Sequence, residues 1–354
     1  MRIAKSLRIM LVTLLTVPLL SGCFASKFRS SQSANLAPFS QQTIQMVGAI
    51  NYNISSDQAV YLRDIANYMG GQSVFDNYLK LEKQIIILMK AAVVYSLQVV
   101  AISEQKTLVD KKVNALADTI IVLDKTIRNE GITSETHNEE KFNQDIDKIR
   151  HSETYLEALQ NSTRLIDNFS QLAGKVLDDL RNEQNLLANQ MDKAIDSKYE
   201  ESIKFANKLR ELRIDYYKAL TLLTDYSQKH KPQALAELHT IPIYILQQSL
   251  KGKKALSSEE INRTQTRLIK RVQILNNNYD LLLPDIEMYY KSLAELYDIL
   301  QRKDLAIKSA RLFFIAWSRA YGRMAAGKTD PAEWFDVTDT GGLLFGAAKG
   351  AAGL

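Results

Sequence analysis

Residues 322–329 read Gly-Arg-Met-Ala-Ala-Gly-Lys-Thr and fit the spacing G-x-x-x-x-G-K-[ST]. That spacing suits a phosphate cradle, in which glycines let backbone amides approach, Lys328 neutralises charge and Thr329 reaches a metal. Such a cradle follows a strand. Here the apolar pattern stays helical through Met324, and Asp330-Pro331 opens a separate short helix with Asp330 as cap, Pro331 at N1 and Glu333 at N3. The segment therefore reads as a helix C-terminus with glycine stops, and nucleotide binding through 322–329 is a remote alternative. The four histidines, His137, His151, His230 and His239, form no H-E-x-x-H motif and pair with no cysteine. There is no G-x-S-x-G, and the carboxylates alternate with Lys and Arg as solvated helix charges do. Neither catalytic residues, a cofactor nor a metal site is expected, and the chain does not read as an enzyme.

The single cysteine, Cys23, calls for a different chemistry. Arg2, Lys5 and Arg8 precede an uncharged apolar run from Ile9 to Leu20, too short to span a bilayer comfortably. The run ends in Leu20-Ser21-Gly22-Cys23, which resembles the lipobox of bacterial lipoproteins. The resemblance covers residues 1–23 alone. It implies that the Cys23 thiol receives a diacylglyceryl group, that the chain is cut between Gly22 and Cys23, and that the new amine is acylated. Several acyl chains together give stable anchoring, since each buried CH₂ contributes roughly 0.8 kcal/mol. Phe24, rather than aspartate, follows the cysteine. In this family that favours the outer membrane, where the organism has one.

Composition bounds the rest. The formal charge is +5, and removal of Arg2, Lys5 and Arg8 leaves +2, so the charge gives no reason to expect a nucleic-acid partner. Between Gln72 and Lys251 the only glycines are Gly131 and Gly174, and the only prolines Pro232 and Pro242. Turn-rich β folds need more punctuation than that. The fold class is all-α.

The elements follow from periodicity. Residues 23–54 read as a lipidated N-terminus and flexible polar tether that includes Pro38. Residues 55–325 read as an elongated antiparallel helical bundle or coiled coil of about three long helices. The first spans 73–128, with Val109, Val113, Leu116, Ile120, Leu123 and Ile127 on its seam. After a polar turn over 132–138 the second runs to about 228, with Gly174 as a candidate bend. After a connector, a capping box at Ser257 and Glu260 opens the third. Its seam steps by four and three from Ile261 to Met324, with only Gln265 and Lys303 polar and a kink expected at Pro284. An up-down-up arrangement puts the end of the third helix at the tip far from the lipid. Residues 326–354 read as a short helix and an apolar, glycine-rich tail.

Two apolar stretches bear on function. Residues 85–102 carry one charge, Lys90, and read as a helix buried on all sides, with membrane insertion as the alternative. The tail 341–354, with Trp317, Trp334 and Phe335, makes the C-terminal end the stickiest region, which either docks a protein partner or packs back on the bundle. The leading expectation is a non-enzymatic envelope lipoprotein, acting as an elongated scaffold or interaction module. It is held on the bilayer through acylated Cys23 and meets a protein partner in the envelope. The alternative is a membrane-active helical protein, loosely resembling helical pore-forming toxins.

Overall fold

The computed structural model describes residues 35–50, 72–133, 138–229 and 232–335. The chain divides at residue 36, and the unit from Leu36 onward is the one considered below. Cys23 and Gly22, His137 and His230, and the tail 341–354 lie outside the described residues. Among those described there are ten helices and no strand, so the fold is all-α.

The longest helix, α5 (Tyr155–Lys229), has 75 residues, about 112 Å of helix at ~1.5 Å per residue. It contains no proline, and Gly174 does not interrupt it. Two helices run back along it, α8 (Ser258–Asp280) and α9 (Leu283–Ala325). Side-chain bonds show one antiparallel register throughout. Ser162 Oγ meets Tyr321 Oη at 2.6 Å and Ser170 Oγ donates to Phe314 O at 2.9 Å. Gln184 Nε2 donates to Leu300 O at 2.9 Å, Tyr289 Oη to Asp196 at 2.9 Å, and Gln265 Nε2 to Thr224 Oγ1 at 3.4 Å. Pro284 lies in the first turn of α9, where its missing N–H costs nothing. The expected kink is thus a break at Leu281–Leu282, and the seam carries across it.

The hairpin closes on α6 (Pro232–Thr240) and α7 (Tyr244–Leu250). These two cap it with Leu235, Leu238, Leu246 and Leu250, packed with Leu223 and Leu268. The connector returns through Gly252 at φ 71°, a conformation that suits glycine. Ser257 then caps α8: its Oγ accepts from Glu260 N, and its own N–H donates to Glu260 Oε2 at 2.9 Å. Donation from Lys253, the Ser257 N–H and the Ser257 hydroxyl holds the Glu260 carboxyl down at about 2.

At the other end of α5 the expectation of three long helices needs correction. The first, expected over 73–128, is two: α2 (Gln72–Glu104) and α3 (Val109–Asn129). They form a hairpin, because Gln84 Nε2 donates to Glu130 O at 3.3 Å and Lys83 pairs with Glu130. No Gly or Pro marks the turn. Lys112 Nζ stabilises it by donating to the Ser103 carbonyl at 2.7 Å. The second helix, expected after 138, is also two. Helix α4 (Glu139–Arg150), capped by Asn138, folds back on α5 through Arg164 and Asp145 at 2.7 Å. The break carries a sequence signature in Thr154 and Glu157: Thr154 Oγ1 accepts from Glu157 N, and Glu157 reaches back to Glu153 N.

The tether also needs correction. Residues 37–49, expected to be flexible, form helix α1 (Ala37–Ala49), with Pro38 in its first turn. Phe39 is fully buried, with ring centroids 6.5 Å from Trp317, 6.0 Å from Tyr321 and 6.1 Å from Phe335. The chain thus enters its folded body beside the end of α9. The α6–α7 cap lies at the opposite end of α5, and the end of the third helix lies beside α1 instead of there. Phe39→Ala is expected to lower stability by about 3 kcal/mol through the lost ring and the cavity left behind. Urea unfolding checks the loss, with limited proteolysis showing α1 becoming cleavable.

Candidate functional site

Around Phe39 the helices bring together several of the polar groups that the seams bury. Tyr95 of α2 donates to Tyr321 Oη at 2.9 Å, and Ser162 of α5 meets the same oxygen. Trp317 Nε1 donates to Ser96 Oγ at 2.8 Å, and Ser96 Oγ donates to the Ala92 carbonyl. Burial pushes the Tyr321 phenol up to about 12 and raises Tyr95 well above its ordinary value, so both stay protonated and donate. Their chemistry is mutual satisfaction, which fixes three helices in one register.

The polar seam residue Lys303 has an equivalent role. It forms a buried ion pair with Glu82 of α2, and burial lowers its pKa while Glu82 opposes the shift. Gln265, the other polar seam residue, bonds across to Thr224. Glu82→Gln strands a buried ammonium and is expected to cost about 3–5 kcal/mol, whereas Glu82→Leu with Lys303→Met is expected to be near neutral. Chemical denaturation of the two variants separates these outcomes.

Residues 322–329 take the shape of a helix end. Helix α9 continues through Ala325, and Gly327 turns at φ 84°. Ala326 N–H donates to Gly322 O, Gly327 N–H to Met324 O at 3.0 Å and Lys328 N–H to Arg323 O at 3.2 Å. This is a Schellman end, and it engages the amides that a phosphate cradle needs. Lys328 pairs with Glu333 at 2.9 Å, and its carbonyl accepts from Trp334 Nε1. As expected, Asp330 caps helix α10 (Pro331–Trp334), whose Trp334 carbonyl accepts from Arg323. Millimolar MgATP is therefore expected to leave the thermal midpoint unchanged. A rise of several degrees would restore the phosphate cradle.

The C-terminal aromatics are closed off. Trp317, Trp334 and Phe335 are buried against α1 and the bundle, so of the two uses expected of them packing is the one these three side chains take. Residues 85–102 are, conversely, more open than expected. Ile85, Leu88, Ala92, Tyr95 and Val99 are buried, while Lys90, Val94, Leu97 and Ala101 form an exposed stripe at steps of four, three and four. The expectation of burial on all sides is corrected to one open face. The span Ser73–Glu104 is long and apolar enough to cross a membrane, yet over half of its most apolar window is buried. A groove of about 460 Å³ lies between α3, α4 and α5 over Ile120, Leu123 and Phe169, with the Asp145–Arg164 pair at its mouth.

His151 and His239 are exposed, His151 bonding to the Asp147 carbonyl, and no metal-ligating cluster occurs among the described residues. No family model, curated protein or solved structure matches the chain.

Proposed function

We propose that this chain is a lipid-anchored envelope lipoprotein and serves as an elongated, non-enzymatic scaffold or interaction module. The signal sequence and lipobox of residues 1–23 argue for the anchor, at the outer membrane where two membranes exist. The observation that carries the scaffold reading is the seating of Phe39 among Trp317, Tyr321 and Phe335. Leu36 is 13 residues from Cys23, so extended chain between them reaches at most about 45 Å. The body therefore stays tied to the bilayer by its multi-helix end. The hairpin of α5 with α8 and α9 then carries the α6–α7 cap away from that end, over ~100 Å of helix. A partner in the envelope meets the hairpin or its cap rather than the aromatic C-terminal core.

Labelling with an alkyne fatty acid and membrane fractionation test the anchor. The natural chain should carry label and sediment with membranes, while Cys23→Ser should lose both. An unlabelled natural chain, or a Cys23→Ser chain still firmly bound, would sink the reading.

The open Val94–Leu97 stripe on a helix of membrane-spanning length favours a second reading, a membrane-active helical protein. Dye release from vesicles by the Cys23→Ser chain decides between them, because a scaffold leaves the vesicles intact.

A further inference from the structure

The hairpin changes character along its length. In α9 from Leu296 onward the seam is buried except at half-buried Leu300, and in α8 it is buried up to Val272 except at half-buried Gln265. Between those two residues nothing on α8 or α9 is buried. The seam positions Leu275, Tyr279, Leu282, Ile286, Tyr289 and Leu293 are only half covered by α5.

The same stretch concentrates exposed large apolar side chains. Ile274, Leu281 and Met288 recur at seven, and so do Leu283, Tyr290 and Tyr297, all outside the seam. Leu281 is 78% exposed and Tyr290 63%. On α5, Phe205, Ile214 and Tyr217 are exposed in the facing segment. Heptad-spaced apolar rows beside a seam widen the apolar face beyond what one neighbouring helix covers, as in a helix that packs on two.

Charge shows what fits there. From Ile261 to Tyr279 there are four cations, Arg263, Arg267, Lys270 and Arg271, and no acid. From Val272 to Tyr290 there are three acids, Asp280, Asp285 and Glu287, and no cation. The facing parts of α5 do not cancel this: 213–225 is balanced, with Arg213 and Lys218 against Asp215 and Asp225, 196–204 has three acids and two lysines, and 205–212, opposite Asn276, adds Lys208 and Arg210 against Glu211. Arg263 pairs with Glu259 and Asp285 accepts from Ser202, which leaves the segregation along the helices in place. The basic and acidic blocks lie on either side of Asn276. A two-fold axis near Asn276 sets the basic block of one hairpin against the acidic block of another, whereas a parallel pair sets like against like.

We propose that two copies of this chain pair antiparallel through the hairpin around Asn276, so that four helices enclose the half-covered seams. This goes beyond the scaffold reading and does not depend on the anchor. The pairing buries Leu281, Met288 and Tyr290 and gives the thin part of the hairpin a core like that of a four-helix bundle.

The test uses the full chain with Cys23→Ser, which removes the lipid and the only other thiol. Sedimentation equilibrium should give a dimer. Asp280→Lys, Asp285→Lys and Glu287→Lys together should weaken it about tenfold or more. Mixing that variant with one carrying Arg267→Glu, Lys270→Glu and Arg271→Glu should restore pairing as a heterodimer. For register, a copy with Ile269→Cys should cross-link to a copy with Leu283→Cys in preference to either with itself. A monomer at tens of micromolar, including one that pairs only with some other protein, would overturn the proposal, as would a dimer indifferent to charge reversal. Circular dichroism of each variant separates lost pairing from lost folding, since these side chains are exposed. Fatty-acid labelling reads the anchor independently, so failure of one reading does not mimic failure of the other.

Discussion

The register lock between α5 and the returning helices α8 and α9 is the constraint on which everything else rests. An apolar seam repeating every seven residues is nearly indifferent to a slip of one heptad. The cross-bonds Ser170–Phe314, Gln184–Leu300, Asp196–Tyr289 and Thr224–Gln265 are not. They occur at irregular positions along the chain, so a slip loses all of them together. Helix α2 is locked to α9 in the same manner but in parallel, because Glu82–Lys303 and Ser96–Trp317 share one separation of 221 residues. A buried ion pair adds little net stability, but its loss in any other register is costly, and that penalty is what selects the register.

With that lock in place the molecule divides by how many helices surround the seam. Around Phe39 and Trp317, helices α1, α2, α5, α9 and α10 enclose aromatic rings whose every polar atom described above has a partner within the core. Between Leu296 and Val272, toward the cap, α5 has only α8 and α9 for company, and the seam side chains stay half-exposed. The gradient separates two duties. The multi-helix end supplies stability and receives the incoming chain at Leu36, whereas the thin hairpin presents apolar and charged surface. The α6–α7 cap, with its own core of Leu235, Leu238, Leu246 and Leu250, keeps the far end of the hairpin from fraying.

The phosphate-like pattern at 322–329 shows why spacing alone is weak evidence of chemistry. Glycine is needed at 327 because the chain leaves the helix through φ 84°, and Lys328 and Thr329 follow because a polar turn follows. The backbone amides that would bind an anion instead close the helix on its own carbonyls. The same residue types at the same intervals therefore serve a helix terminus, and the preceding element, helix rather than strand, decides between the two uses.

The sequence by itself determined the all-α class, the seam residues other than exposed Val109, the caps at Ser257 and Asp330, and a disturbance of the third helix near Pro284. Each depends on interactions within a few residues, where periodicity and capping are legible. The lipobox-like pattern Leu20-Ser21-Gly22-Cys23 is local too and lies outside the described residues. Only the tertiary structure decided where helices turn back. The turn at 105–108 has no Gly or Pro, and that at 151–154 carries only the Thr154–Glu157 signature, so an uninterrupted apolar period ran through both. Tertiary structure alone also decided that 37–49 is helix rather than tether, since Phe39 is helical by virtue of rings near position 320. Likewise it decided that the C-terminal aromatics are buried beside the chain's entry point. Those outcomes rest on contacts across hundreds of residues, and no local pattern encodes which partner a ring will find.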